Sequence, residues 1–265
     1  MRKYRAVLKI VFKTQLIYRF DVALTAASTL WRVLFAWILW GAVFSGRETV
    51  GGFTFQAMLS YYVVSSFLAS IEMSDGVSGE VSERIRGGTF SKYMVIPTNP
   101  QGHFLSQSLG ASGYYALFSV MAAALCTLVF QIKLSFSAEP GAILCALAMI
   151  LMGLIFMGSY QFFIGVLTFK FQDIEFFTHV QGALITFFTG TIVPLSLLPG
   201  AVLEALRFLP FPYVNYTPAM LLTGQIGIGE AVFGLAVLSV WTAGMLIVSH
   251  LTYNRLRVKF DGVGI

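Results

Sequence analysis

Residues 141–169 read GAILCALAMILMGLIFMGSYQFFIGVLTF, without a single Asp, Glu, Lys or Arg. At a rise of about 1.5 Å per residue, such a run as a helix outlasts the ~30 Å hydrocarbon core of a bilayer. Apolar runs of comparable length lie on both sides of it, at 22–44, 53–73, 104–130, 176–198 and 231–253, interrupted only by Arg32 and Glu72. Aromatic residues such as Trp40, Phe53 and Tyr253 stand near their ends, as in an interfacial belt. The 265 residues are 57% hydrophobic and 11% charged, whereas a soluble domain carries about 25% charged residues. Too few polar side chains remain to face water, so the chain reads as an all-α integral membrane protein with roughly six spans. It forms one membrane domain over 1–265, with no soluble catalytic part.

Basic residues set the orientation. With an inner N-terminus, Arg2, Lys3, Arg5, Lys9, Lys13, Arg19, Arg84, Arg86, Lys92, Lys170, Arg255, Arg257 and Lys259 fall on the cytoplasmic side. Only Arg47, Lys133 and Arg207 fall outside. That asymmetry predicts a plasma-membrane protein with both termini in the cytoplasm. The start of the chain mixes basic and apolar residues and lacks the apolar core of a signal peptide, so it is expected to stay in the mature protein. Within 1–21, Arg2, Arg5, Lys9 and Lys13 share one helical face, while Tyr4, Val7, Leu8, Val11 and Tyr18 share the other. This predicts an amphipathic helix on the inner leaflet, drawn to anionic lipid.

The cytoplasmic region 76–100 lies in the stretch SDGVSGEVSERIRGGTFSKYMVIPTNP (74–100). Glu80, Glu83, Arg84 and Arg86 surround Val81 and Ile85 before Gly87-Gly88, which predicts a short capped helix. Phe90, Tyr93, Met94 and Ile96 follow, ahead of Pro97 and Pro100. A plain surface helix accounts for part of this pattern; the apolar residues favour a docking element for another protein. A shorter turn, FKFQDIEFF (169–177), puts Lys170, Asp173 and Glu175 on the same side. On the outer side, 199–229 is too rich in proline and glycine for a straight span and is expected to form short re-entrant or interfacial pieces. With Pro194, Pro199, Pro210 and Pro212 it could cap a substrate pathway.

Polar groups in or beside the spans are few. Arg32 sits about ten residues inside the first, where a charge costs at least ~2.5 kcal/mol. It must face protein or water, and Glu72 and Asp75 are its candidate partners. Gln161, His179 and Gln181 read as helix-to-helix hydrogen bonds. Cys126 and Cys145 both lie in apolar runs, which argues against a disulfide framework. His103, His179 and His250 stand far apart, none begins an HExxH, and no metal site is expected. No GxxxxGK[ST] and no GxSxG occurs, so the chain is not expected to hydrolyse ATP or to act as an enzyme.

Taken with IRGGTFSKYMVIPTNP (85–100), GTIVPLSLLP (190–199) and LPFPYVNYTP (209–218), this arrangement resembles the ABC-2 type exporter permeases, and among them the compact ones without a large extracellular domain. The resemblance implies two permease subunits, identical or homologous, assembled with a separate ATP-binding cassette ATPase. ATP and Mg would be bound by that ATPase, and this chain would bind no cofactor and no nucleic acid. It makes Glu80, Glu83, Arg84 and Arg86 the charges of a coupling helix, and the outer prolines part of a gate. The implied substrate is hydrophobic or amphiphilic, a drug or a lipid-like molecule leaving the cytoplasm or inner leaflet. The competing reading is an ATP-independent channel or secondary transporter, which calls for intramembrane acids or inverted repeats. A membrane-embedded lipid-modifying enzyme would need an interfacial cluster of His, Asp or Glu.

Overall fold

Apolar runs that cannot leave backbone groups unpaired in lipid form helices, and helices are what the computed structural model contains over the residues it describes, 2–17, 19–129 and 135–259. Tyr18, Phe130 and Lys133 lie outside the described residues, as do the side chains of Arg19, Val22, Cys126 and Lys259. In chain order the elements are α1 (Arg2–Gln15), α2 (Arg19–Val43), α3 (Phe55–Ile71), α4 (Asp75–Arg86), α5 (Ser91–Val95) and α6 (Pro100–Val129). They continue as α7 (Pro140–Val166), α8 (Thr168–Phe171), α9 (Glu175–Phe188), α10 (Gly200–Leu206), α11 (Tyr216–Leu222) and α12 (Ile228–Leu256). Local chemistry marks the starts. Thr54 Oγ1 accepts the Ala57 N–H ahead of α3, and prolines, which need no hydrogen-bond partner for a missing N–H, open α6 and α7.

By length and composition, Pro140–Phe171 and Ile228–Leu256 are each sufficient to cross a bilayer, and Ala27–Val43 is a shorter apolar helix, among the described residues. α12 lies along α7, and α3 packs between α2 and α6.

The run 176–198 is not one helix. α9 stops at Phe188, and the chain turns at Gly190, whose φ of +75° favours glycine. The turn is held from α3: Tyr61 donates its hydroxyl to the Gly190 carbonyl at 2.7 Å. Beyond it, 199–229 resolves into α10, a 3-10 turn at Phe211–Tyr213, and α11, whose Thr217 to Leu221 face is buried against α3 and α7.

α1 also differs from a helix resting on lipid alone. Its Arg2, Arg5, Lys9 and Lys13 are exposed, while Tyr4, Val7, Leu8, Val11 and Phe12 are half-buried against α6. Contact is close because α6 carries Gly110 at the crossing: a Cβ there would stand 2.7 Å from the Leu8 carbonyl oxygen. Gly110→Leu is therefore expected to lift α1 off α6. Cysteines replacing Phe12 and Tyr114, whose rings lie 5.6 Å apart, should then cross-link at least about tenfold more slowly than with Gly110 in place.

Candidate functional site

The helix α4 is specified at both ends. Asp75 opens it and Arg84 and Arg86 close it, each sign matched to the helix dipole. At its C-terminus the Gly87 and Gly88 N–H groups reach the Glu83 and Ile85 carbonyls at 2.8 and 3.1 Å, and Gly88 has φ +70°. The Phe90 N–H then bonds the Arg84 carbonyl at 2.9 Å, which turns the chain back beneath the helix.

That turn delivers Phe90 into an aromatic cluster. It is fully buried, stacked 6.4 Å from Phe104 and edge-on 5.5 Å from Phe169, with Phe162 and Tyr253 beyond. Val77, Val81 and Ile85 of α4 close the cluster from above. Phe90 and Tyr93, apolar residues that in sequence looked available for docking, thus belong to the chain's own core, while Val95 and Ile96 remain exposed.

The four charges on α4 divide. Arg84 donates to Glu80 at 2.6 and 3.0 Å, Gln107 of α6 donates to the other Glu80 oxygen at 2.8 Å, and the Arg84 guanidinium sits 5.5 Å above the Tyr93 ring. Those two residues fasten the helix. Glu83 and Arg86, with Gly76 and Gly79, form its exposed face. α4 is joined to α7 at Gly165, where a Cβ would lie 2.7 Å from the Val81 Cβ and 3.0 Å from the Ser78 carbonyl oxygen. Nearby, Lys170, Asp173 and Glu175 are exposed on the turn between α8 and α9, and Asp173 caps α9 by accepting the Glu175 N–H at 2.8 Å.

Behind α4, the residues singled out within the spans converge. A cavity of about 660 Å³ runs between α2, α3, α7 and α9 and is lined by Arg32, Glu72 and Asp75 at one end and by Thr189, Thr191 and Asn215 at the other. A second cavity of about 540 Å³, bordered by α1, α4 and α6, shares Arg32, Ala69, Glu72 and Asp75 with the first. The shared residues make a charged neck. Glu72 Oε1 accepts the Ser74 N–H at 2.9 Å and the Ser74 hydroxyl. Asp75 accepts from Gln161 at 3.2 Å, and Gln161 accepts from Gln181 at 3.1 Å, so an amide relay links α9 to α7 and α4. Asp75 keeps exposed surface, yet partial burial of its carboxyl raises it above its ordinary range, against the pull of the Gln161 amide. Arg32 forms no ion pair among the described residues. His179 is exposed, 3.9 Å from Glu175.

At the outer end, Tyr62 donates to the Ile192 carbonyl, and the Asn215 amide donates to Thr191 at 2.8 Å and to the Ser65 carbonyl at 3.3 Å. Pro194, Pro210 and Pro212 are buried and Pro199 is exposed. Pro194, Pro199 and Pro210 each immediately precede a helical turn, and Pro212 lies within one. A cavity of about 340 Å³ lies behind this segment, lined by Pro212, Tyr216 and Glu230 among others. Among the described residues, no three His, Cys, Asp or Glu side chains gather as a metal site would need.

The sequence offers Arg32 with Glu72 and Asp75 as a pairing; that they instead line a junction between two cavities, and that Gly165 carries the α4 contact, had no usable sequence signal. A family model described as ABC-2 family transporter protein matches residues 30–264, leaving α1 and the first part of α2 outside the match. No curated protein matches the chain.

Proposed function

We propose, because the chain belongs to the ABC-2 family of transporter proteins, that it is the permease subunit of an ATP-driven exporter for a hydrophobic or amphiphilic substrate. Membership already makes it the membrane component of an ABC transporter, a family that works with an ATPase subunit. The finer reading gives it six spans in the plasma membrane with both termini in the cytoplasm. ATP and Mg belong to the separate ATPase, and a second permease subunit, identical or homologous, covers the open cavity between α2 and α9. Pro194, Pro199, Pro210 and Pro212 frame the outer gate.

One observation carries this reading. α4 presents Glu83 and Arg86 outward while Gly165, Glu80 and Arg84 fasten it to the spans. A push on the exposed face therefore moves α7 rather than bending a loop. Glu83 and Arg86 meet the ATPase; Glu80 and Arg84 keep the helix stiff enough to transmit its motion.

The test is co-purification with paired substitutions. Wild-type permease should bring an ATPase with it, and Glu83→Ala with Arg86→Ala should lower export roughly tenfold with no change in thermal midpoint. Glu80→Ala should instead lower the midpoint, since it strands Arg84 and Gln107. An ATP-independent channel or secondary transporter is the answer if no ATPase co-purifies and the double substitution leaves export unchanged.

A further inference from the structure

Three charged groups lie at the junction of two cavities without pairing across it. Arg32 comes from α2, Glu72 from the end of α3, and Asp75 from the start of α4. Both cavities reach all three, yet neither carboxylate forms an ion pair with Arg32. Arg32 and Asp75 are exposed in the cavity walls and Glu72 is half-buried, and among the described residues the carboxylates accept only neutral donors, Ser74 and Gln161. Opposite charges facing one gap without pairing favour a ligand that bridges them. A simple cation would meet Arg32, a simple anion would meet the two carboxylates, and a neutral head would answer none of the three charges.

The rest of the larger cavity describes the remainder of such a ligand. Its walls include Phe35, Leu39, Leu68 and Ile71, and its volume of about 660 Å³ falls in the range of small-molecule pockets, roughly 300–1,000 Å³. Phe35 and Leu39 are more than half exposed, so this wall also opens along the outer face of α2. Farther along, Asn215 is 3% exposed and its Oδ1 has no hydrogen-bond partner among the described residues. It is a spare acceptor for a hydroxyl or an amide N–H.

We propose that the neck binds the zwitterionic head of an amphiphile, its anionic group at Arg32 and its ammonium at Glu72 and Asp75, with the apolar tail along Phe35 and Leu39. That the bound molecule is also the exported one rests on the permease reading above; the binding itself does not. A membrane lipid and a soluble amphiphile share this head chemistry.

Three probes with one tail and different heads decide it: dodecylphosphocholine, dodecyltrimethylammonium and dodecyl phosphate. Their binding to the full-length protein, purified with whatever co-purifies, is measured in a non-ionic detergent without ATP. Wild type should hold dodecylphosphocholine at least about tenfold more tightly than either single-charge probe. Arg32→Gln should shift the preference to dodecyltrimethylammonium, and Glu72→Gln with Asp75→Asn should shift it to dodecyl phosphate. A misfolded variant loses all three probes instead of reversing their order, and the wild-type ranking is decisive by itself. No zwitterion preference in wild type, or an unchanged order in Arg32→Gln, overturns the proposal. Phospholipid retained by the purified protein in native mass spectra identifies a lipid source; its absence, with the ranking intact, identifies a soluble amphiphile. A correct ranking without a co-purifying ATPase would sink the exporter reading and leave the site standing. An ATPase without the ranking would do the reverse.

Discussion

Gly165→Leu is expected to remove nearly all transport while leaving the chain in the membrane. Even a methyl group at this position would stand 2.7 Å from the Val81 Cβ and 3.0 Å from a backbone oxygen of α4, and neither neighbour is the free end of a flexible side chain. Relief requires the helix itself to move away from α7. Overpacking of this kind costs about 1–3 kcal/mol when the structure can adjust, and here the adjustment displaces the element proposed above to face the ATPase. Export should fall by at least about tenfold, with the ATPase still co-purifying because Glu83 and Arg86 are untouched. Val81→Gly in the same chain removes one of the two clashes and should restore part of the activity. Full export from Gly165→Leu would show that α4 and α7 need not move together.

The second large effect falls on stability. Phe90→Ala deletes a fully buried ring at the centre of the aromatic cluster beneath α4, where removing such a side chain costs about 3–5 kcal/mol. The thermal midpoint of the purified protein should drop sharply, and α4 should become accessible to protease along its Val77, Val81 and Ile85 face. Phe90→Leu keeps most of the volume and should be far milder, about 1.5 kcal/mol or less. Equal midpoints for the two variants would mean that α4 is held by its polar contacts alone.

Which of these features could be read from the residues depends on whether their cause is local. α4 ends where Gly87-Gly88 predicts, because a C-terminal glycine cap needs only its own backbone carbonyls. The role of Phe90 could not be read in this way. Its apolar side chain looks the same in a sequence whether it waits for a partner or folds under its own helix, and the partners that decide the matter, Phe104, Phe162, Phe169 and Tyr253, come from later in the chain. The break after Phe188 was hidden by hydropathy, since TGTIVPLSLL stays apolar through a turn that depends on one glycine φ and a tyrosine from α3. Arg32, Glu72 and Asp75 were each visible as misfits near an apolar span. Their meeting was an expectation; that they meet unpaired, at a junction of two cavities, was not legible, because α2, α3 and α4 converge only through packing.

Asp75 is at once the first residue of α4 and a wall of both cavities. In the readings proposed above, an occupant of the neck and an ATPase gripping the helix therefore act on the same element. Linkage then runs equally in both directions: the factor by which an occupant changes the affinity of the ATPase for α4 is the factor by which the ATPase changes the affinity for the occupant.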